Sequence, residues 1–179
     1  MLPLMGRVIL ASRKLDQHAQ MKFLKVNDMR VDYDPIEDMP DFREWVAANG
    51  SSFDFSDYIH AQVLRGALTA DALMSVILLV WPSFVEVGGF VTLQSRRDRV
   101  RELVSKGVTG KEVEYWCNHL NIDGLLPGIE VSLNECVGAI LRNAWAAKLA
   151  SQFPLLKFNV ILLSDSGGSE VSVTFHQVE

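Results

Sequence analysis

The ten residues from Ala72 to Trp81 are apolar apart from Ser75, and Pro82 stops the run. A bilayer needs roughly 20 such residues, so this stretch is too short to span one. Thr69 is suited to cap a helix that continues to Val80. Leu73, Met74, Val76, Ile77, Leu78, Leu79 and Val80 then leave that helix almost no polar stripe. A helix without a wet face belongs inside a fold. The expectation is a central apolar helix over 69–80, the most buried in the chain, touched by the helix at Ser132–Gln152 and by the sheet.

The flanking segments set the fold class. Phe84–Val87 and Phe90–Leu93 are two β-rich runs joined by Gly88-Gly89, and a two-residue hairpin turn needs the positive φ that glycine supplies. A second hairpin is expected from Phe158–Leu163 and Val171–Val178 around Gly167-Gly168. Lys22–Val26 and Met29–Tyr33 read as a third hairpin or two edge strands. Asp41 with Glu44 matches a capping box for a short helix that Asn49-Gly50 ends. Further helices are expected from Ser56, from Gln94 or Ser95, after Thr109 and from Ser132 to Gln152, where Pro154 prevents continuation. Within them, Val113, Trp116, Cys117 and Leu120 have core-facing spacing, as do Leu133, Cys136, Val137, Ile140, Leu141, Ala144, Ala147 or Lys148, and Leu149. This order predicts an α+β fold: one antiparallel sheet built from hairpins, with about six helices on one face. Residues 1–20 read as an N-terminal strand and arm or an upstream extension of the start site, and 21–179 as a single domain.

Charge is distributed unevenly. From Asp28 to Asp57 nine acids stand against Arg30 and Arg43, a net −7, whereas the whole chain carries −5. An acidic arm therefore joins a body of about +2, which disfavours nucleic acid as a partner. Two cysteines in 179 residues do not make the framework of a secreted domain. With no export signal and no membrane span, the expectation is a cytoplasmic protein with reduced thiols and no membrane partner.

The chemistry-bearing residues are few. His119 and Asp123 would share a face if their helix reached that far, and Glu86 is a further carboxylate. Such a set could work as the acid–base pair of a small hydrolase. No third ligand with metal spacing accompanies it, and no cofactor motif is present. A histidine in a last helical turn also serves as a cap, the reading favoured here. Cys117 and Cys136 fall on apolar faces, where a thiol is inert. Gly167-Gly168 lacks the lysine and following helix of a phosphate loop. The Arg96, Arg97, Arg99 and Arg101 series, interleaved with Asp98 and Glu102, fits a solvated helix face with internal salt bridges. Trp45 lies among Phe42, Phe53, Phe55 and Tyr58 within the acidic segment, where these aromatics read either as packing tucked beneath an acidic helix or as anchors on a surface facing a basic partner.

Three segments, Trp81-Pro82-Ser83-Phe84-Val85-Glu86, Asn118-His119-Leu120 and Trp145-Ala146-Ala147-Lys148-Leu149 followed by Phe153-Pro154, resemble a group of small bacterial proteins of uncharacterised function. The resemblance runs from about Thr69 to the C-terminus and implies no activity. The functional expectation comes from charge: a non-enzymatic module that binds a basic protein through Asp32, Asp34, Glu37, Asp38, Asp41, Glu44 and Trp45, as immunity proteins, antitoxins and adaptor subunits do. The alternative is the hydrolase-like enzyme using His119 with Asp123 or Glu86.

Overall fold

The computed structural model describes residues 39–50, 52–164 and 170–178. The expected strands at Lys22–Tyr33 and the turn at 165–169 lie outside the described residues. Helices α1 (Pro40–Asn49), α2 (Phe55–Leu64) and α3 (Ala70–Val80) precede a hairpin of β1 (Phe84–Val87) and β2 (Phe90–Leu93). A 3-10 turn at Gln94–Arg96 leads into α4 (Arg97–Ser105), then α5 (Lys111–Asn118), β3 (Leu120–Asn121) and α6 (Ile122–Leu125). The long α7 (Val131–Gln152) and the strands β4 (Lys157–Ser164) and β5 (Val171–Val178) complete an α+β fold.

Local chemistry explains several of these elements. Gly88 and Gly89 turn the first hairpin at φ 61° and 86°, values that suit glycine at little steric cost. Thr69 caps α3 by accepting a hydrogen bond from the Ala72 amide. The capping box lies one helix later than expected: Asp54 accepts from Ser56 and Asp57, and Asp57 accepts from the Asp54 amide. Asp41 cannot be the cap of α1, because Pro40 occupies its first turn and Met39 its N-cap. Proline suits that first turn, where its missing N–H would be unpaired anyway.

Among the described residues the strands form two antiparallel sheets, not one. β1 pairs with β2, while β5 lies between β3 and β4. They stay separate because α5 lies between β2 and β5 and satisfies both with side chains. Glu114, 2% exposed, accepts from the Val91 amide through Oε1 and from the Gln177 amide through Oε2, both at 2.6 Å. One turn on, Asn118 accepts from the Leu93 amide and donates to the Val91 carbonyl, imitating a neighbouring strand. The inner face of α5 is thus Val113, Glu114, Cys117 and Asn118, and Trp116 points outward.

The main core unites Phe84, Val91, Leu93, Ile122, Leu141, Trp145, Leu149, Val171, Val173 and Phe175. Its buried side of α7 is rotated from the expected stripe, to Asn134, Gly138, Ala139, Leu141, Trp145 and Leu149, with Ile140 exposed. Gly138 permits this: an added Cβ would meet Leu162 Cδ1 at 2.6 Å. A smaller core of Val100, Val113 and Cys117 binds α4 to α5.

The 69–80 helix is not central. None of its residues is buried, and only Leu79 and Val80 pack against the main core. Trp145, not this helix, occupies the middle, and its indole N–H reaches the Leu79 carbonyl at 2.9 Å.

Candidate functional site

Helix α1 separates its side chains cleanly. Phe42 and Trp45, three apart, turn inward and are buried, whereas Asp41 and Glu44 remain exposed. Phe42 stacks on Phe55 with centroids 4.2 Å apart, and Trp45 meets Phe53 and Tyr58 edge-on at 5.7 and 5.6 Å. This aromatic cluster lies outside both other cores and holds α1 against α2. Aromatic pairs of this kind contribute about 0.5–1.5 kcal/mol beyond simple burial. The exposed Asp54 and Asp57 start α2. The result is a pair of helices fixed from within and acidic without.

Trp45 therefore belongs to the support and not to the surface. Its ring is spent on intramolecular packing, as expected of aromatics tucked beneath an acidic helix, and not on a partner-facing surface. Asp32, Asp34, Glu37 and Asp38 lie outside the described residues.

The alternative catalytic set is dispersed. α5 ends at Asn118, so His119 and Asp123 do not share a helix face. The Asp123 carboxylate, in α6, accepts from the Asn134 side chain and the Val171 amide. Glu86 is exposed on β1, opposite Val91. No hydrogen bond or ion pair among the described residues links His119 to either. Its carbonyl, with that of Cys117, accepts from Arg96 Nη1 at 2.7 and 3.0 Å. Arg96, half-buried, thus closes the C-terminal end of α5, where a cation is favoured. The capping role expected of His119 falls to its backbone and to Arg96.

The imidazole itself lies near the Tyr115 and Trp116 rings, at centroid distances of 6.2 and 6.1 Å. Burial lowers its pKa below the ordinary 6.5, Glu170 opposes that shift, and Arg96 and Arg99 add to it. Glu170, not singled out from the sequence, is the carboxylate that acts on this ring. The same burial, with Glu170, raises the Tyr115 phenol.

A depressed histidine pKa has a definite consequence for stability. The unfolded chain binds the proton more readily, so stability increases with pH through the window below 6.5 and is lost as pH falls through it. His119→Gln should flatten that part of the profile. Urea midpoints for both proteins between about pH 5 and pH 8 check this; parallel profiles would show that the ring carries no such linkage.

Cys117 is buried, with its sulfur 3.1 Å from Thr92 Oγ1, and forms no disulfide. Arg97 and Arg101 both pair with Asp98 on the exposed face of α4, as Lys106 does with Glu102. Among the described residues, no group of three or more His, Cys, Asp or Glu side chains is placed to hold a metal. No helix among them is long and apolar enough to cross a membrane. Comparison with family models, curated proteins and solved structures finds no match to this chain.

Proposed function

We propose that this protein is a non-enzymatic interaction module whose acidic helical pair binds a basic protein surface in the cytoplasm, in the manner of immunity proteins, antitoxins and small adaptor subunits. The observation that carries this reading is the division of α1: Phe42 and Trp45 are buried while Asp41 and Glu44 are exposed. Carboxylates held on a rigid support lose less entropy on binding than carboxylates on a loose chain. Asp32, Asp34, Glu37 and Asp38 extend the same charge toward the N-terminus. A field of one sign steers a partner of the other and repels acidic competitors.

The test uses the full chain as bait in a lysate of its source cell, beside a charge-reversed bait carrying Asp41→Lys and Glu44→Lys. Both substitutions lie on the exposed side of α1, so the aromatic cluster remains intact. The expected catch is a basic protein retained by the wild type, released by about 0.5 M salt, and absent from the reversed bait. A catch of acidic proteins, or equal retention by both baits, contradicts the proposal.

A further inference from the structure

We propose that β4 is the seam of a dimer in which two copies of this chain join their sheets edge to edge, antiparallel, across a twofold axis at Ile161. Strand β4 ends its sheet, with β5 on one side and no strand on the other among the described residues. All eight of its residues pair with β5 in unbroken register. Alternate N–H and C=O groups on its other side therefore point away from the sheet, and no backbone hydrogen bond among the described residues takes them up. A strand edge is ordinarily defended by charge, proline, a bulge or brevity. β4 has no proline and no bulge, and its only charge is Lys157 at one end. The other edges in the fold are defended. Glu114 and Asn118 complete β2, and β3 has two residues. β1 has four, with the Phe84 carbonyl already taken by Gln152 Nε2.

The open backbone groups call for an extended strand, and the pattern of β4 selects its own copy. Twofold symmetry between antiparallel strands sets one residue opposite itself and keeps every residue on the same face of the joined sheet. With Ile161 on the axis, Val160 meets Leu162 of the second copy, Asn159 meets Leu163, and Phe158 meets Ser164. Phe158, Val160 and Leu162 then keep to the core side of both sheets, where α7 covers them. Lys157 passes just beyond the end of the second strand, beside the Ser164 whose hydroxyl donates to Glu135 Oε1 at 2.7 Å. Lys157 is exposed and has no ion pair among the described residues, so its charge complements that carboxylate at both ends of the seam. An axis at Val160 would instead set Lys157 against Leu163. Each copy has one long open edge, so the pairing consumes both and stops at two. It is independent of the acidic-pair proposal, because it rests on backbone hydrogen bonds and not on the charges of α1 and α2.

Cysteines placed singly in the full chain test the register. Residues directly opposite in antiparallel strands lie about 4.5–5.5 Å apart at Cα, within the span of a disulfide. Ile161→Cys should therefore give a covalent dimer on mild oxidation, at twice the 20.0 kDa of the chain. Asn159→Cys and Leu163→Cys should each stay monomeric, since each would lie roughly 14 Å from its own copy. Mixed together, those two variants should cross-link. The unaltered chain, with Cys117 and Cys136, is the control. Sedimentation of that chain from about 1 µM to about 100 µM should show the mass rising toward the dimer. Ile161→Lys, which sets like charges on the axis, should weaken association about tenfold or more; if it does not fold, the cysteine series decides alone. A monomer mass throughout overturns the proposal. So does a dimer that forms no disulfide at position 161, or equal yields at all three positions, which mark collision without register.

Discussion

Glu114→Ala is expected to destabilise the protein by about 3–5 kcal/mol, because it orphans the groups that one buried carboxylate now satisfies. Both oxygens are in use. Oε1 accepts from the Val91 amide and from Gln177 Nε2, and Oε2 accepts from the Gln177 amide. Gln177 Nε2 also reaches the Gly89 carbonyl at 3.0 Å, so the same network ties the first hairpin turn to the last strand. Without the carboxylate, two backbone N–H groups face an apolar gap, and each orphan costs about 1–3 kcal/mol. Glu114→Gln keeps one oxygen but turns an amide N–H2 toward the other donor, so it should recover only part of the loss. Small domains have only about 5–15 kcal/mol to lose. Urea unfolding measures the effect, and faster hydrogen exchange at Val91 and Gln177 would localise it. An alanine variant within about 1 kcal/mol of wild type would mean that water replaces these bonds freely.

Trp145→Ala should cost a similar amount, about 3–5 kcal/mol, for a different reason. The ring is fully buried and meets Phe84 and Phe175 edge-on at 6.2 and 6.1 Å. Those two rings are themselves 5.2 Å apart and nearly perpendicular. The cluster joins β1, α7 and β5, and the indole hydrogen bond adds α3. Alanine would leave a cavity among all four and strip the Leu79 carbonyl of its donor. Trp145→Phe retains most of the packing and should lose roughly 1–2 kcal/mol, the hydrogen bond and a little volume. Denaturant midpoints for the three proteins decide it; equal losses for Phe and Ala would place the energy in the hydrogen bond and not in the ring.

These two residues also mark where sequence reasoning reaches its limit. Gly88-Gly89, Thr69 and Asn49-Gly50 were legible because turn and cap chemistry is local: a positive φ or an orphan N–H is settled within four residues. The two terminal strands were legible from their own runs of apolar and β-branched residues. Glu114 was not, because a glutamate beside two aromatic residues on a helix is ordinarily solvated. Its burial depends on β2 and β5 approaching from opposite sides, which no local pattern encodes. Trp116 took its place in the expected core stripe only because it is large and apolar. The one-sheet expectation failed with it, since the edge of β2 is completed by Glu114 and Asn118 instead of by another strand.

The apolar helix is the more instructive case. Hydrophobicity on every side of 69–80 says that water is a poor neighbour for it, but not which body replaces water. An interior was the expectation; the fold covers one side and leaves Met74, Ile77 and Leu78 outward. In the acidic segment, the charge asymmetry was legible by counting and the tucked aromatics as one of two readings, while the rings that Trp45 meets depended on its spacing from Phe42 and on the return of α2. The His119–Asp123 pairing rested on a helix that ends at Asn118, and only the fold could show Glu170 as the acid that influences the ring.

An acidic surface is proposed to guide a basic partner to this protein. Its most direct test is the association rate of the captured partner, followed by stopped flow at low and at physiological ionic strength. The rate is expected to fall about tenfold or more as salt rises from about 0.02 to about 0.15 M. Reversing Asp34, Glu37 and Asp38 to lysine should reproduce that fall at low salt, with a smaller change in dissociation. An association rate indifferent both to salt and to the reversal would make the acidic segment a merely solvated surface with no steering role.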